Sequence, residues 1–182
     1  MKRRDFVKLS ALGSAAVLAK SCSTSSDKKQ VPVLETSKKI KVVSTWISGI
    51  DANKEAIRIL SSNGSAITAV EKGLNVTESD PNNTSVGFGG MPDASGVVTL
   101  DASIMDDQYN CGSVTYLQNI EHPISVARKV MEETPHVMLS GKGAYDFAIE
   151  QGFTHKNLLT ESSLQKWQEW KKGNSFNLPH IN

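Results

Sequence analysis

Three carboxylates lie close together in the middle of this 182-residue chain: Asp101, Asp106 and Asp107. Grouped carboxylates can share acid–base work or hold a divalent cation. Asp106 and Asp107, however, open the run Asp106-Asp107-Gln108-Tyr109-Asn110, which reads as a hairpin turn, where short carboxylates favour the bend. No metal is expected there. The four histidines are scattered. His122 and His136 each adjoin a proline at a segment boundary, which suits a structural role better than catalysis. Gly141-Lys142-Gly143, with Asp146 beyond it, imitates the start of a dinucleotide-binding fingerprint but lacks the third glycine, so no cofactor is expected. The chain has no Cys-x-x-Cys, no His-Glu-x-x-His, no P-loop lysine motif and no Gly-x-Ser-x-Gly elbow. Cys111 has no evident partner and reads as a small buried hydrophobe.

The elements that would position these groups alternate between strand and helix patterns. Ile40 to Trp46 is rich in β-branched residues and predicts a strand. Asp51 is placed to cap a helix with Ala52, Ala56, Ile59 and Leu60 on its apolar positions, stopped by Asn63-Gly64. Ser65 starts a second helix, with Ile67, Val70 and Leu74 at helical spacing and Pro81 beyond its end. Together they predict a helical hairpin packed on a sheet. A loop rich in glycine and proline follows over residues 81–96. Val97–Met105 and Cys111–Leu117 predict an antiparallel hairpin. His122-Pro123 precedes a helix from about Ile124 to Glu133, proline being suited to a first helical turn. His136–Leu139 predicts a short strand, and Gly141-Lys142-Gly143 turns the chain into a helix ending near Gly152. Thr160 caps a last amphipathic helix carrying Leu164 and Trp167, and periodicity is lost after Gly173. This mixture predicts an α/β (α+β) layered domain.

Composition narrows the function. Residues 1–30 hold seven basic and two acidic side chains, a balance of +5, whereas residues 31–182 hold thirteen basic and seventeen acidic, a balance of −4. A mildly acidic body argues against a protein that tracks nucleic-acid phosphates. Two cysteines cannot build a disulfide-dense scaffold or a four-thiolate zinc site. Residues 1–30 read as an export signal and linker. Lys2, Arg3 and Arg4 precede an uncharged, mostly apolar run from Leu9 to Ala19, and the Arg3-Arg4 pair matches a twin-arginine signal for delivery to the periplasm. That run falls well short of the ~20 residues that span a bilayer. Cys22 reads equally as a lipid-attachment site or as part of a discarded signal, because Lys20 stands where the lipoprotein pattern has a small residue.

A longer pattern carries more information than any short motif. Ser44-Thr45-Trp46, Ala66-Ile67-Thr68-Ala69-Val70-Glu71-Lys72-Gly73, Asp80-Pro81, and Ser85-Val86-Gly87-Phe88-Gly89-Gly90-Met91-Pro92-Asp93 follow one another in order. Then come Gly96-Val97-Val98-Thr99-Leu100-Asp101-Ala102-Ser103-Ile104-Met105-Asp106, Gly112-Ser113-Val114, Pro123-Ile124-Ser125-Val126-Ala127-Arg128 and Thr134-Pro135-His136-Val137-Met138-Leu139. Over residues 40–172 the chain resembles the glycosylasparaginases (aspartylglucosaminidases), a family of N-terminal-nucleophile hydrolases.

The resemblance implies a four-layer αββα sandwich and a precursor that cuts itself into α and β chains. It implies a threonine nucleophile at the start of the β chain, whose free amine serves as its own base. The substrate implied is asparagine whose side-chain amide carries N-acetylglucosamine. Residues 31–172 would be the α-chain portion, and residues 173–182 a mobile tail resembling the linker before the cleavage site. This chain stops short of the His-Asp-Thr of the cleavage site, so it is expected to be inactive alone and to need the β chain of the same precursor in an (αβ)2 assembly. No catalytic residue is assigned within it. Trp46 is assigned to substrate binding, because the family's tryptophan at this place lines the pocket. The continuation Trp46-Ile47-Ser48-Gly49 departs from the family's Trp-Asn-Phe-Gly and puts the sugar preference in question. The Gly87–Gly90 run allows close backbone approach, either beneath a site or in a purely structural loop. The alternatives are an L-asparaginase or isoaspartyl peptidase of the same superfamily, or a truncated, non-catalytic exported protein.

Overall fold

The best-buried part of the molecule is a three-stranded sheet with two helices on one face. It is seen in a computed structural model that describes residues 39–173. The expected export segment, Cys22 and the tail 174–182 lie outside the described residues.

In chain order the elements are α1 (Gly49–Ser61), α2 (Ala66–Glu78), β1 (Leu100–Met105), β2 (Cys111–Leu117), α3 (Pro123–Glu133), β3 (Leu139–Ser140), α4 (Gly141–Glu150) and α5 (Glu161–Gly173). The sheet order is β1-β2-β3. β1 and β2 are antiparallel, with Ala102 opposite Val114 and Met105 opposite Cys111. β3 joins β2 in parallel through Val114–Leu139 and Thr115–Ser140. Helices and a small sheet make this an α/β fold, as expected.

The hairpin forms as its pattern predicts. Asp106 ties the turn by accepting from the Gln108 amide at 2.8 Å and the Asn110 amide at 2.9 Å. A bulge interrupts the β1–β2 ladder between Leu100 and Ala102. There Asp101 accepts from the Tyr116 amide at 2.8 Å and the Thr115 hydroxyl at 2.7 Å, so its side chain replaces the missing ladder bonds.

The inward side chains of β1 and β2, Ile104, Val114 and Leu117, meet Ile124, Ala127 and Val130 of α3 and Ala144 and Ala148 of α4 in one buried cluster. α3 crosses β2 at Gly112. A Cβ there would collide with the Ala127 carbonyl and lie 2.5 Å from the Met131 nitrogen, so only glycine lets helix and strand approach this closely. A second cluster joins Val98 and Leu100 to Leu158.

The helical hairpin forms, with three departures from expectation, the first being that α2 rests on α3 and not on the sheet. Ser48, not Asp51, stands at the N-cap of α1. Asp51 lies in the first helical turn instead and pairs with Lys54 at 2.7 Å, a position where the helix dipole favours an acid. α2 begins as predicted, with the Ser65 hydroxyl accepting from the Thr68 amide at 3.2 Å. Its buried face, however, is Ala69 and Gly73 rather than Val70 and Leu74. Small residues prevail because the two helices pack very closely: a Cβ on Gly73 would stand 2.7 Å from the Ala52 carbonyl oxygen.

Two strand predictions need correction. Ile40–Trp46 is not a strand; among the described residues it pairs with nothing, and residues 45–48 bend and turn into α1. Its β-branched composition suits a pleated ladder, but a ladder needs a neighbour. His136–Leu139 shrinks to Leu139–Ser140, because the Thr134 hydroxyl holds the His136 amide at 3.0 Å in a turn. Cys111, expected to be buried, is a half-buried free thiol.

Candidate functional site

Trp46 sits on the turn that feeds α1, its side chain 80% exposed. The turn is fixed by short-range bonds. Gly49 donates to the Trp46 carbonyl at 3.0 Å and Ile50 to the Ile47 carbonyl at 3.1 Å. The Ser44 hydroxyl donates to Asn53 Oδ1 at 2.6 Å and ties the incoming chain to α1. A Cβ on Gly49 would collide with the Ser44 side chain, so the Ser48-Gly49 pair is what allows this tight entry.

Trp46 lines an open cleft of about 510 Å³ together with Thr45 and Ser48, with Leu74 and Thr77 of α2, and with Asn83, Ser85 and Val86 of the loop after α2. Its lining contains hydroxyls, a carboxamide and apolar surface, and no charged side chain. Such a lining offers hydrogen-bond partners to a neutral polar group and no counter-charge to a carboxylate or ammonium.

Part of the lining belongs to the loop after α2. The Gly87–Gly90 run does not itself line the cleft; it lets the loop fold back on α2. Gly87 has φ +66° and Gly89 φ +96°, conformations that glycine adopts freely. A Cβ on Gly87 would collide with the Glu78 carbonyl, which accepts from the Phe88 amide at 2.7 Å. The neighbouring Thr84 carbonyl accepts from the Met91 amide at 2.9 Å and closes the loop. Sequence reasoning singled out Trp46 and these glycines but missed Thr77, Asn83 and Ser85. Asn83 and Ser85 fall in the polar run Asn83-Thr84-Ser85 at the start of the glycine-rich loop, and Thr77 gave no signal.

Beneath the cleft lies a polar network that no local motif announced. Glu71 and Glu78 of α2 are 7% and 4% exposed. Glu71 accepts from the Ser125 hydroxyl at 2.7 Å and from Arg128 at 2.8 Å. Burial pushes the Glu71 carboxyl up, but Ser125, Arg128 and nearby Lys72 outweigh it and hold the group below its ordinary range. Burial likewise opposes the charge on Arg128, and Glu132 and Glu71 more than offset it, raising its pKa. Glu78 accepts from the Ile124 amide at the start of α3 at 3.1 Å and from Asn75 at 3.1 Å, and stands 3.2 Å from His122 Nδ1. Two buried carboxylates thereby bolt α2, which lines part of the cleft, to α3, which covers the sheet.

The other residues considered for chemistry stay apart from the cleft. Asp101, Asp106 and Asp107 serve the β1–β2 bulge and turn, and Asn110 and the turn amides hold the Asp106 carboxyl below its usual range. His122 joins the α2–α3 network, and His136 is exposed in the turn after α3. Among the described residues no three His, Cys, Asp or Glu side chains gather as a metal site. Trp167 packs on the turn around Gly96 and donates from Nε1 to the Asp93 carbonyl at 2.9 Å, the packing role expected of it.

Helices on a small sheet, with Trp46 at an open cleft, make up an α/β layer. The chain belongs to the asparaginase family, whose profile matches residues 28–179. It is similar to the N(4)-(beta-N-acetylglucosaminyl)-L-asparaginase of Elizabethkingia miricola, with 49% identity over 179 residues, 96% of this chain and 51% of that protein. The enzyme of the same name from Rattus norvegicus is 43% identical over 134 residues, 73% of this chain and 39% of that protein. The plant-type L-asparaginase of Pyrococcus horikoshii is 42% identical over 110 residues, 60% of this chain and 36% of that protein. The chain thus spans about half the length of the first of these relatives, and less of the others. Within the family it is glycosylasparaginase-like.

Proposed function

We propose that this chain is the α-chain part of an exported amidohydrolase that cleaves the amide between N-acetylglucosamine and the asparagine side chain. The carrying observation is the uncharged cleft walled by Trp46, in a chain 49% identical over almost its whole length to a protein named for that reaction. A flat indole and hydroxyl-bearing walls suit a neutral glycosylated amide. In this reading the remaining half of the protein is a β chain that provides the threonine nucleophile. A free α-amine, with an ordinary pKa near 7.7–8, can take the hydroxyl proton at neutral pH. The same half supplies the charged groups that the Trp46 cleft lacks and that the amino-acid end of the substrate requires. The two halves complete the αββα sandwich and pair as (αβ)2. The Arg3-Arg4 signal delivers the protein to the periplasm, with Cys22 as a possible lipid anchor.

The test is to assemble this chain with the C-terminal half of the Elizabethkingia relative and supply N4-(N-acetylglucosaminyl)-asparagine, asparagine and a β-aspartyl dipeptide in parallel. Fastest turnover of the glycosylated substrate is expected. Preference for asparagine or the dipeptide would transfer the chain to the second reading, which rests on its similarity to plant-type L-asparaginases and to an isoaspartyl peptidase/L-asparaginase from rat. Delivery is tested separately: Arg3→Lys with Arg4→Lys should retain the protein in the cytoplasm. Normal export of that double variant would remove the twin-arginine assignment.

A further inference from the structure

The loop that lines the cleft together with Trp46 is held at its far end by a part of the chain that does not line the cleft. Gly89 lies three residues beyond Val86, and both of its backbone polar groups are claimed by one segment. Its amide donates to the Leu158 carbonyl at 2.9 Å, and its carbonyl accepts from the Ser163 hydroxyl. Ser163 is 1% exposed, the one buried residue of α5. The same segment grips the loop again on either side. Lys156 lies 4.0 Å from the centre of the Phe88 ring. Trp167 donates to the Asp93 carbonyl at 2.9 Å and packs on Gly96, with Lys171 over its other side at 4.6 Å.

The loop has little slack with which to absorb a shift at Gly89. A Cβ on Gly89 would stand 2.5 Å from the Pro81 carbonyl oxygen, Gly90 donates to the Gly87 carbonyl at 3.2 Å, and Met91 is bonded back to Thr84. Displacement of the Gly89 peptide therefore passes to Ser85 and Val86, the wall of the cleft. A buried hydroxyl donating to a backbone carbonyl, far from the cleft in sequence, also has a definite cost of removal, because the carbonyl is left without its partner.

We infer that Ser163 and Trp167 of α5 are positioning residues that set the Ser85–Val86 wall of the Trp46 cleft by clamping the segment from Gly89 to Gly96. The clamp concerns the loop's position; its importance for substrate rests on the proposed function.

Hydrogen exchange on the full chain tests the clamp without substrate, so its failure is distinct from failure of the hydrolase reading. In the wild type, amides 85 and 88–91, whose hydrogen bonds hold the loop, should be protected. Ser163→Ala should speed their exchange about tenfold, as expected for one lost buried hydrogen bond, while amides of α3 stay unchanged. Trp167→Phe deletes both the indole donor and the Cη2–Cζ2 edge that rests on Gly96, and should speed exchange over residues 93–97 by a smaller factor. In the assembled enzyme, Ser163→Ala should raise KM several-fold with kcat within about twofold, since the nucleophile is untouched. An unprotected wild-type loop, a rise in exchange spread evenly over the chain, or equal losses in kcat and kcat/KM would each overturn the inference.

Discussion

The sheet with α3 and α4 and the segment that carries Trp46 are opposites built from similar residues. In the first, Ile104, Val114, Leu117 and Ile124 are buried against one another. In the second, Val43 is 88% exposed and Trp46 80% exposed, with Ile40 and Ile47 also open to solvent. Composition does not separate the two regions; the presence of a facing layer does. Apolar side chains without such a layer mark either a binding surface or a place awaiting more protein. The lesson is that the first region stabilises the chain and the second is available to meet something else.

The largest effect should come from closing the approach of α3 to β2. Gly112→Ala puts a Cβ into the Ala127 carbonyl, backbone against backbone, and should destabilise by about 3 kcal/mol or more. Urea unfolding followed by circular dichroism measures this, and wild-type stability would show that the two elements are not locked together.

Next is Arg128→Met, which strands the buried Glu71 carboxylate and should cost about 3 kcal/mol at neutral pH. The pH dependence follows from the sign of the Glu71 shift. Its folded-state pKa is lowered, so the unfolded chain binds the proton first. That contribution is complete above the ordinary glutamate pKa of about 4.3 and fades as pH falls through the lower folded value. The Arg128→Met variant should weaken this acid-side decline, the Ser125 hydroxyl and Lys72 remaining to hold the group down. An unchanged profile would separate Glu71 from the α2–α3 bolt.

Trp46→Ala reverses the balance of effects. With the indole in solvent, stability should change by no more than about 0.5 kcal/mol, while the assembled enzyme loses roughly tenfold in kcat/KM for the glycosylated substrate. A large fall in melting temperature would move Trp46 from the open region to the core.

Val43→Ser should have the smallest effect on the chain itself, within about 0.5 kcal/mol in thermal melts. If residues 40–46 await a partner layer, the variant should still weaken co-purification with the complementary half. Unaltered assembly would make that exposure incidental.

Local chemistry made much of this fold legible. Ser65, Pro123 and Thr160 mark helix starts that the structure reproduces, because capping and proline geometry act over a few residues. Asp106 announced its turn for the same reason, and the order of motifs from Ser44 to Leu139 placed the chain in its family. Asp51 misled because Ser48-Gly49 enters the helix earlier, made possible by contact with Ser44. Val70 and Leu74 misled because helical spacing names an apolar face without naming what will cover it.

By itself the sequence determined where helices begin, where the hairpin turns, which family the chain belongs to and that Trp46 merits attention. These rest on interactions spanning a few residues, or on an order of motifs readable along one line. Tertiary structure alone decided that Ile40–Trp46 has no ladder partner among the described residues, that Glu71 and Arg128 meet across 57 positions, and that Gly112 is where α3 touches β2. It also decided that Ser163 holds Gly89 from 74 positions away. Such contacts depend on which surfaces close on one another in space, and periodicity and propensity carry no record of a residue's distant neighbour.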